Sequence, residues 1–538
     1  MQRDQFEVNR LFQDSSLLSY LTIVIGSLQA RSILERLQGL PLAITQAGAY
    51  LRETNMALSD FIKHYDSTWD LLMQEQDKFP LEEYSERTIW TTWRMSYEQI
   101  RHQSQEAAGL LKLWAFLDRG DLWYELVASA LELHSELDID VPAWLLKVVT
   151  NQLAFSSALR TLTRYSLIDT REETSSHSMH AVLHQWCYSL SVGKDQMELS
   201  AIAIGIVVLA IPSESDHKYR VLQRRLLPHA TQVYRWILCA RRVLSEWMND
   251  SHEGWLFHTF GLFFADQGKL AEAEKMYQQA LEGKEKTLGP EHTSTLNTFN
   301  NLGNLYADQG KLAKAEKIYQ RVLKGYEKAL GPEHISTLRI VNNLGILYAD
   351  QGKLAKAEKM YQRALKGYEK AFGPEDETIP KLNTVNNLGN LYKDQGKLAE
   401  AEEMLQRALK GKENILGSEH TSTLDTINNL GLLYANQGKL AEAEKMYQRA
   451  LKGYEKALGP EDKTIPKINT VNNLGTLYKD QGKLAEAEEM FQRALEGYEK
   501  ALGPEHSKCE TVKRNITNLH GLKGINSFDL FSFALHCL

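Results

Sequence analysis

The sequence predicts an all-α protein whose C-terminal half is a solenoid of stacked helix hairpins. The tripeptide Gly-Lys-Leu begins at Gly268 and recurs after steps of 42, 42, 44, 42 and 44 residues. A segment such as NNLGNLYADQ precedes each copy, and one such as AKAEKIYQRVLKGYEKAL follows it. A fixed period of this length indicates a repeat protein, because one hairpin cannot bury its apolar face alone whereas a stack of hairpins can.

Each copy is predicted to be two helices joined at the tripeptide. In the second copy Leu302, Leu305 and Tyr306 are spaced i, i+3 and i+4, so they share one face of the first helix. Gly303 has no side chain and lets a neighbouring helix approach closely at that point. Gly310 ends the helix, since a left-handed C-terminal cap costs glycine little.

The turns between copies also follow a pattern. The two 44-residue steps contain two additional residues next to Pro380 and Pro466, so a turn rather than a helix absorbs the extra length. His292, His334 and His420 follow Gly-Pro-Glu or Gly-Ser-Glu in other turns. We predict that these histidines are turn and helix-cap residues rather than metal ligands.

The L-G-x-L-Y and A-E-x-x-Y-x-x-A-L patterns of the two helices resemble the tetratricopeptide repeat. The usual period of that family is about 34 residues. The longer form in this sequence is similar to the repeats of kinesin light chains and of many fungal and bacterial signalling proteins. The resemblance covers residues 254–506 and implies six repeats in a right-handed superhelix, an α-solenoid, whose first helices line a concave groove.

The side of each first helix that lies opposite the apolar stripe is predicted to form a peptide-binding groove. Asparagine recurs there at one position from the second copy to the sixth, and its amide can pair with either side of an extended peptide backbone. The resemblance implies the same role. The next position alternates between apolar and polar residues, which predicts an apolar pocket in every second repeat. The predicted groove residues are Asn297, Asn300, Asn304, Arg339, Asn342, Ile346, Asn383, Asn386, Asn390, Asn428, Leu432 and Asn472.

Upstream of residue 254 the period disappears. GLPLA at 39–43 resembles a motif of the nucleotide-binding module of NLR-type signalling ATPases. TTWRMSYEQI at 91–100 is similar to the winged-helix domain that follows that module, and SMHAVLHQWC at 178–187 contains the Met-His of its MHD motif. The resemblance is to the fungal NLR type. It implies five segments: 1–80, a remnant of the NB-ARC helical subdomain; 81–190, a winged-helix-like domain; 191–253, a linker with degenerate capping hairpins; 254–506, six repeats; and 507–538, a partial repeat with an apolar tail.

The NLR resemblance also implies a vestigial nucleotide site, in which Pro41 packs against adenine and His180 reaches the β-phosphate of ADP. Ala181 replaces the aspartate of the motif, and G-x-x-x-x-G-K-[ST] does not occur in the sequence. Without the amides and lysine of that loop, the β- and γ-phosphates have no cradle. We therefore expect no cofactor, with ADP or ATP bound only if the missing core is supplied. The alternative for His180 is a helix-packing histidine near Trp186.

Composition narrows the classes of partner. The net charge of −7 argues against nucleic acid. Leu17–Leu28 lacks a basic start and Ala201–Pro212 is too short to span a bilayer, so both are predicted to be buried helices, and no membrane partner is expected. The four cysteines include no C-x-x-C pair, which argues against a zinc site and indicates the reducing cytoplasm.

These observations predict a non-catalytic interaction scaffold: the ligand-sensing repeat array of an NLR-like protein without its P-loop. Its partner would be an extended peptide or a protein in the groove. Three alternatives remain. The asparagines bridge adjacent helices and bind nothing, the chain is an ADP-binding switch of NLR type, or it is a kinesin-light-chain-like cargo adaptor. Against the last, no heptad coiled coil precedes the repeats.

Overall fold

The computed structural model describes residues 28–74, 84–212, 219–247, 250–459 and 464–523. The chain falls into two compact units that divide between Phe263 and Phe264. Nearly all the described elements are helices, and the described strands form a single two-stranded hairpin. The predicted all-α class is confirmed.

The first unit begins with four helices, which are Leu28–Arg36, Pro41–Thr54, Leu58–Gln74 and Tyr84–Gln103. Gly39 has a positive φ of 67°, which ends the first helix, and the next helix starts at the proline of the GLPLA segment. Gln46 donates to the backbone oxygen of Ser166, and Arg52 donates to that of Arg164 at 3.0 Å. The GLPLA helix is therefore fixed to the turn before the β-hairpin.

A group of shorter helices and a β-hairpin follows, which we call the winged-helix-like region after the domain that the resemblance implies for this segment. Its helices are Gln105–Trp114, Tyr124–Ala128, Leu133–Leu137, Ala143–Thr150 and Gln152–Arg164, with a 3₁₀ turn at Ser129–Glu132. The antiparallel strands Ile168–Arg171 and Ser176–Met179 form the wing, and an isolated bridge from Leu122 to His177 extends it. Helix Ala181–Ser189 closes the region and places Trp186 5.6 Å from Trp93, between ring centres.

Two further helices, Lys194–Leu209 and Tyr219–Trp247, occupy the segment in which the sequence predicts a linker with capping hairpins. They contact each other, and the second is attached to the winged-helix-like region. His229 bonds to the backbone of Asp118 at 3.1 Å and of Asp121 at 2.7 Å, and Arg225 pairs with the Asp121 carboxylate. In the structure this segment is thus an integral part of the first unit.

Both apolar runs of the sequence can now be placed. Residues 201–208 are buried within helix Lys194–Leu209, which confirms a buried helix for Ala201–Pro212. The run Leu17–Leu28 lies outside the described residues, apart from Leu28, and so does the apolar tail at 524–538. Among the described helices, none is long and apolar enough to cross a membrane.

The repeats are six helix pairs followed by one further helix, and we number them 1 to 6. The first helices are Asp250–Asp266, Thr293–Asp308, Ile335–Asp350, Ile379–Asp394, Thr421–Asn436 and Ile465–Asp480. The second helices are Leu270–Thr287, Leu312–Ala329, Leu354–Phe372, Leu398–Leu416, Leu440–Leu458 and Leu484–Leu502. The seventh first helix is Ser507–Lys523.

In repeats 2 to 6, two glycines allow the helices of each pair to pack closely. The ring of Tyr361 from the second helix of repeat 3 lies on Gly345, so a Cβ there would be 2.5 Å from the ring. In return Leu338 of the first helix lies on Gly367, where a Cβ would be 2.2 Å from its methyl carbon. The close approach predicted for glycine is confirmed, and it works in both directions.

A glutamate of each second helix joins one repeat to the next. Glu316 accepts hydrogen bonds from Tyr348 at 3.3 Å and Gln351 at 3.0 Å, and it pairs with Lys353 at 3.5 Å. The bond from Gln351 is the main reason that the pKa of Glu316 is lowered. We call this set of contacts the glutamate clamp. Glutamates at the same position accept bonds from the following repeat throughout, namely Glu274, Glu358, Glu402, Glu444 and Glu488.

The seventh helix packs on repeat 6 but differs on its other side. Cys509, Val512 and Leu519 are buried in one core with Phe491 and Tyr498. The first helices of repeats 2 to 6 each have a leucine or isoleucine and a glycine that contact the second helix of the same repeat. The seventh helix has Glu510 and Thr517 at these two positions. A second helix of the repeat type would therefore lack both of these contacts on Ser507–Lys523.

Candidate functional site: the groove face of the first helices

The turns before the first helices are closed by capping bonds. In the turn before repeat 3, Nδ1 of His334 accepts a hydrogen bond from the backbone N–H of Ser336 at 3.2 Å. Thr337 donates to the backbone oxygen of Gly331 at 2.8 Å. His292 and His420 cap their helices in the same way, so the predicted capping role is confirmed.

The longer turns use a buried lysine in place of the threonine. Lys381 is fully buried, and its ammonium donates to the backbone oxygens of Pro374 at 2.8 Å and Asp376 at 3.0 Å. Lys467 bonds to that of Gly459 at 3.0 Å. The longer side chain reaches across the two additional residues. Sequence reasoning missed this substitution, although lysine replaces threonine only in the two copies with long turns.

The predicted asparagine positions form a ladder between repeats. Oδ1 of Asn342 accepts a hydrogen bond from Asn387 of the next repeat at 3.2 Å, and Oδ1 of Asn428 accepts one from Asn473 at 3.2 Å. Asn300 and Asn386 are bridged likewise by the following repeat, to Asn343 and Asn429. Bridging therefore does occur, and it commits the amide oxygens of this row.

The amide nitrogens of the ladder are used unevenly. Asn300 and Asn386 donate to the adjacent asparagines of their own helices, at 3.2 and 3.4 Å. For Asn342 and Asn428, the described part of the chain contains no acceptor for the amide nitrogen. Asn472 has a buried Oδ1 without a partner among the described residues. Repeats 3 and 5 thus keep a free hydrogen-bond donor at the groove face.

The next groove position alternates between apolar and polar side chains, and the apolar pockets expected there remain a prediction. Ile346 is 39% exposed, and Leu432 is half-buried. Asn304 accepts bonds from Tyr319 of its own repeat at 2.6 Å and from Asn343 at 3.3 Å. Asn390 has no tyrosine to donate to it, since Leu405 occupies the position that corresponds to Tyr319. The Oδ1 atom of Asn390 is buried without a partner among the described residues.

The remaining predicted residues lie one helical turn before the ladder. Asn297 and Asn383 are half-buried there, and Arg339 is exposed. At the other end of each first helix is a row of aspartates that sequence reasoning noted but did not select. Burial raises the pKa of both Asp308 and Asp350, and the neighbouring Asp350 raises that of Asp308 further.

Pro41 and His180 occupy local backbone roles. Pro41 is the exposed first residue of its helix, and exposed His180 caps helix Ala181–Ser189 through Nδ1, 3.3 Å from the N–H of Val182. The alternative of a helix-packing histidine is wrong for His180, because its side chain is at the surface. His184 fills that role instead, since its Nε2 lies 2.9 Å from the backbone oxygen of Leu117.

Comparison with known proteins identifies the repeats. Tetratricopeptide-repeat models match residues 253–328, 296–370 and 381–456, and a second tetratricopeptide-repeat model matches residues 468–507. A nucleotide-binding leucine-rich repeat (NLR)-like protein of Hyaloscypha variabilis is 30% identical over 285 residues, which are 50% of this chain and 26% of that protein. The chain thus spans about a quarter of the length of this relative.

Two solved structures are similar. One is the putative kinesin light chain of Podosopora anserina with nearly identical TPR-like repeats, 25% identical, with 38% of this chain and 97% of that one covered and a TM-score of 0.32. The other is a STAND protein with a tetratricopeptide repeat sensor from Pyrococcus horikoshii, 13% identical, with 92% and 72% covered and a TM-score of 0.38. The matched segments show that the C-terminal half of the chain is an array of tetratricopeptide repeats, in a protein similar over half its length to an NLR-like protein.

Proposed function

We propose that the repeat array is a non-catalytic binding surface that takes an extended peptide or protein segment along the first helices. The observation that carries this proposal is the free amide nitrogen of Asn342 and Asn428 beside an apolar side chain of the same helix, Ile346 or Leu432. An N–H donor that faces a groove pairs with a backbone carbonyl of any sequence. The apolar neighbour then adds contact area and selects a side chain.

The ladder itself gives this surface its rigidity. Each bridging bond fixes one asparagine against the next repeat, so the free donors are held in place before a ligand arrives. A preorganised donor loses little conformational entropy on binding. The same bridging that supports a purely structural role thus also prepares the row for a ligand.

We further propose that this array is the sensor part of an NLR-like protein in the cytoplasm, without nucleotide hydrolysis. The similarity to the Hyaloscypha protein supports this placement. An ADP-binding switch is the weaker candidate, because Pro41 and His180 already serve as a helix start and a helix cap. A cargo adaptor would use the same groove and differs only in its partner.

The test separates ligand binding from the ladder. Peptides are selected from a phage-displayed library of random dodecamers on the full chain, and their affinities are measured by fluorescence polarisation. The double variant N342A/N428A removes both free donors and two bridges. The matched control N387A/N473A removes the same two bridges and leaves the donors in place, and in addition N387A removes the acceptor of the Asn386 amide.

We expect the selected peptides to bind N342A/N428A at least tenfold more weakly than wild type and the control within about threefold of wild type. A loss of one hydrogen bond per donor accounts for this size. Equal affinities of the two double variants would show that the donors do not contact the ligand. Failure to select any peptide would overturn the groove proposal.

A further inference from the structure

In repeats 2 and 3, the aspartate at the end of the first helix has no cationic partner among the described residues. Asp308 and Asp350 are the last residues of these helices and reach solvent. A negative charge at a helix C-terminus is unfavourable, because the carbonyl groups there already carry partial negative charge. The two aspartates also repel each other across the repeat junction.

Other repeats relieve the same problem with a lysine. Lys393 pairs with Asp394 at 3.3 Å, and Lys479 pairs with Asp480 at 3.5 Å. Repeats 2 and 3 have alanine at that position. Within the described ranges, no cation pairs with Asp308 or Asp350. Arg339 lies in the same helix as Asp350 but three turns earlier, so the two Cα atoms are about 16 Å apart along the helix axis.

The hydroxyl of a tyrosine whose side chain is otherwise buried points to the same place. The side chain of Tyr361 is 2% exposed and is held on Gly345, yet no described residue accepts or donates a hydrogen bond to its hydroxyl. The hydroxyl group is close enough to Asp350 and Asp394 for both carboxylates to raise its pKa, in addition to burial. In repeat 2 the corresponding hydroxyl of Tyr319 is satisfied by Asn304, but repeat 3 has Ile346 there.

This combination of groups selects a particular ligand chemistry. The unpaired phenol of Tyr361 beside the carboxylate of Asp350, with Asp308 near Asp350, offers acceptors to an ammonium or guanidinium group and repels an anion. The free amide nitrogen of Asn342 lies one turn before Ile346 on the same helix face, and Asp350 follows one turn later. A peptide that crosses this helix meets a backbone donor, an apolar side chain and an acidic end in that order.

We infer that the groove at repeats 2 to 4 binds a basic side chain of the peptide, a lysine or arginine, at Asp308, Asp350 and the Tyr361 hydroxyl, next to an apolar side chain on Ile346. This inference rests on the proposed function and names the ligand class of the same groove. Repeat 5 lacks the acidic part, since Asn436 replaces the aspartate beside the equally free hydroxyl of Tyr447.

The experiment uses a fluorescein-labelled positional library of nonapeptides in which one position is fixed as Lys, Arg, Glu or Leu. Affinities for the full chain are measured by fluorescence polarisation. The test variants are D308N/D350N and Y361F. The matched controls are D480N, whose carboxylate has a lysine partner, and Y447F, whose hydroxyl lies in the repeat with Asn436.

We expect wild type to bind the best Lys or Arg pool at least tenfold more tightly than the Glu pool at the same position. D308N/D350N should lose most of this preference, and Y361F should lose two- to fivefold of it, whereas D480N and Y447F keep it. If pools bind without a preference for basic residues, or if the preference survives in D308N/D350N, the inference is overturned and the peptide groove stands. If no pool binds wild type, both proposals are overturned.

Discussion

Repeats 3 and 4 have the same fold and almost the same apolar stripes, yet they present different faces. In repeat 3 the turn is closed by a threonine, the groove position after the ladder is apolar and the ring on the glycine is a tyrosine. In repeat 4 these become lysine, asparagine and leucine. The pairs are Thr337 and Lys381, Ile346 and Asn390, Tyr361 and Leu405, Tyr368 and Lys412, and Ala349 and Lys393.

The differences between repeats 3 and 4 occur together, and repeat 5 returns to most of the features of repeat 3. The free donor of Asn342 and the free hydroxyl of Tyr361 occur together in repeat 3, and both have counterparts in repeat 5. In repeat 4 the amide nitrogen of Asn386 donates to Asn387, and Leu405 replaces the tyrosine and its hydroxyl. Repeats 3 and 5 thus share one kind of face, and repeat 4 between them has another.

The largest effect is expected at the turn that distinguishes the two repeats. K381M leaves two backbone oxygens without their charged donor, so we expect the free energy of unfolding to fall by about 2–4 kcal/mol. T337V removes one neutral bond in the short turn and should cost about 1 kcal/mol. Urea unfolding followed by circular dichroism measures both. The exposed Lys324 supplies a control, K324M, and equal losses for K381M and T337V would refute the distinction.

A smaller effect is expected from the contact that the two repeats share. G345A places a methyl group 2.5 Å from the rigid ring of Tyr361, so the ring must move, at a cost of about 1–3 kcal/mol. The control is G521A, at an exposed helical glycine where a Cβ meets nothing within 4 Å. We expect G521A to be neutral or stabilising by up to about 1 kcal/mol. Thermal unfolding that ranks G345A at or above G521A would contradict this packing.

The smallest effect concerns the lysine that replaces a tyrosine in the second helix of repeat 4. Burial lowers the pKa of Lys412 to about 8, although Asp425 opposes the shift. The folded chain therefore binds fewer protons than the unfolded chain between about pH 8 and 10.5, and stability rises with pH across that window. K412Y should stabilise the array by roughly 1–2 kcal/mol at pH 7 and flatten part of this rise.

The pH dependence of unfolding in urea checks this prediction. Lys284 also has a pKa lowered to about 8 by burial, so K412Y removes only part of the slope. The double variant K284Y/K412Y should remove more. An unchanged slope in both variants would show that burial does not lower the pKa of either lysine.

Sequence reasoning recovered the array in detail because every copy repeats the same neighbour relations. The glycine contact of Gly303, the helix caps of His334 and the alternation at Ile346 all follow from a pattern that recurs at a fixed step. The bonds between repeats did not follow as directly. Asn342 and Asn343 are adjacent in sequence, and only the structure shows which amide bridges forward and which bridges back.

In the first unit the sequence predicted fewer of the contacts between side chains. The resemblance implied a winged-helix-like domain in this region, but it did not give the individual helices or the hairpin. The partner of each side chain could not be predicted either, because its contacts are unique. His184 rather than His180 packs against the neighbouring helix, and the distance along the chain to Leu117 hides that relation.

The terminal helix sets where the array can grow. Glu510 and Thr517 do not offer the leucine and glycine contacts of a repeat-type hairpin, so a duplicated copy fits better between existing repeats than on this helix. An inserted duplicate of 86 residues, one long step and one short, would meet a matching clamp glutamate at each new border. The row of first helices would then lengthen by one repeat of each kind, and the helices at either end of the array would stay unchanged.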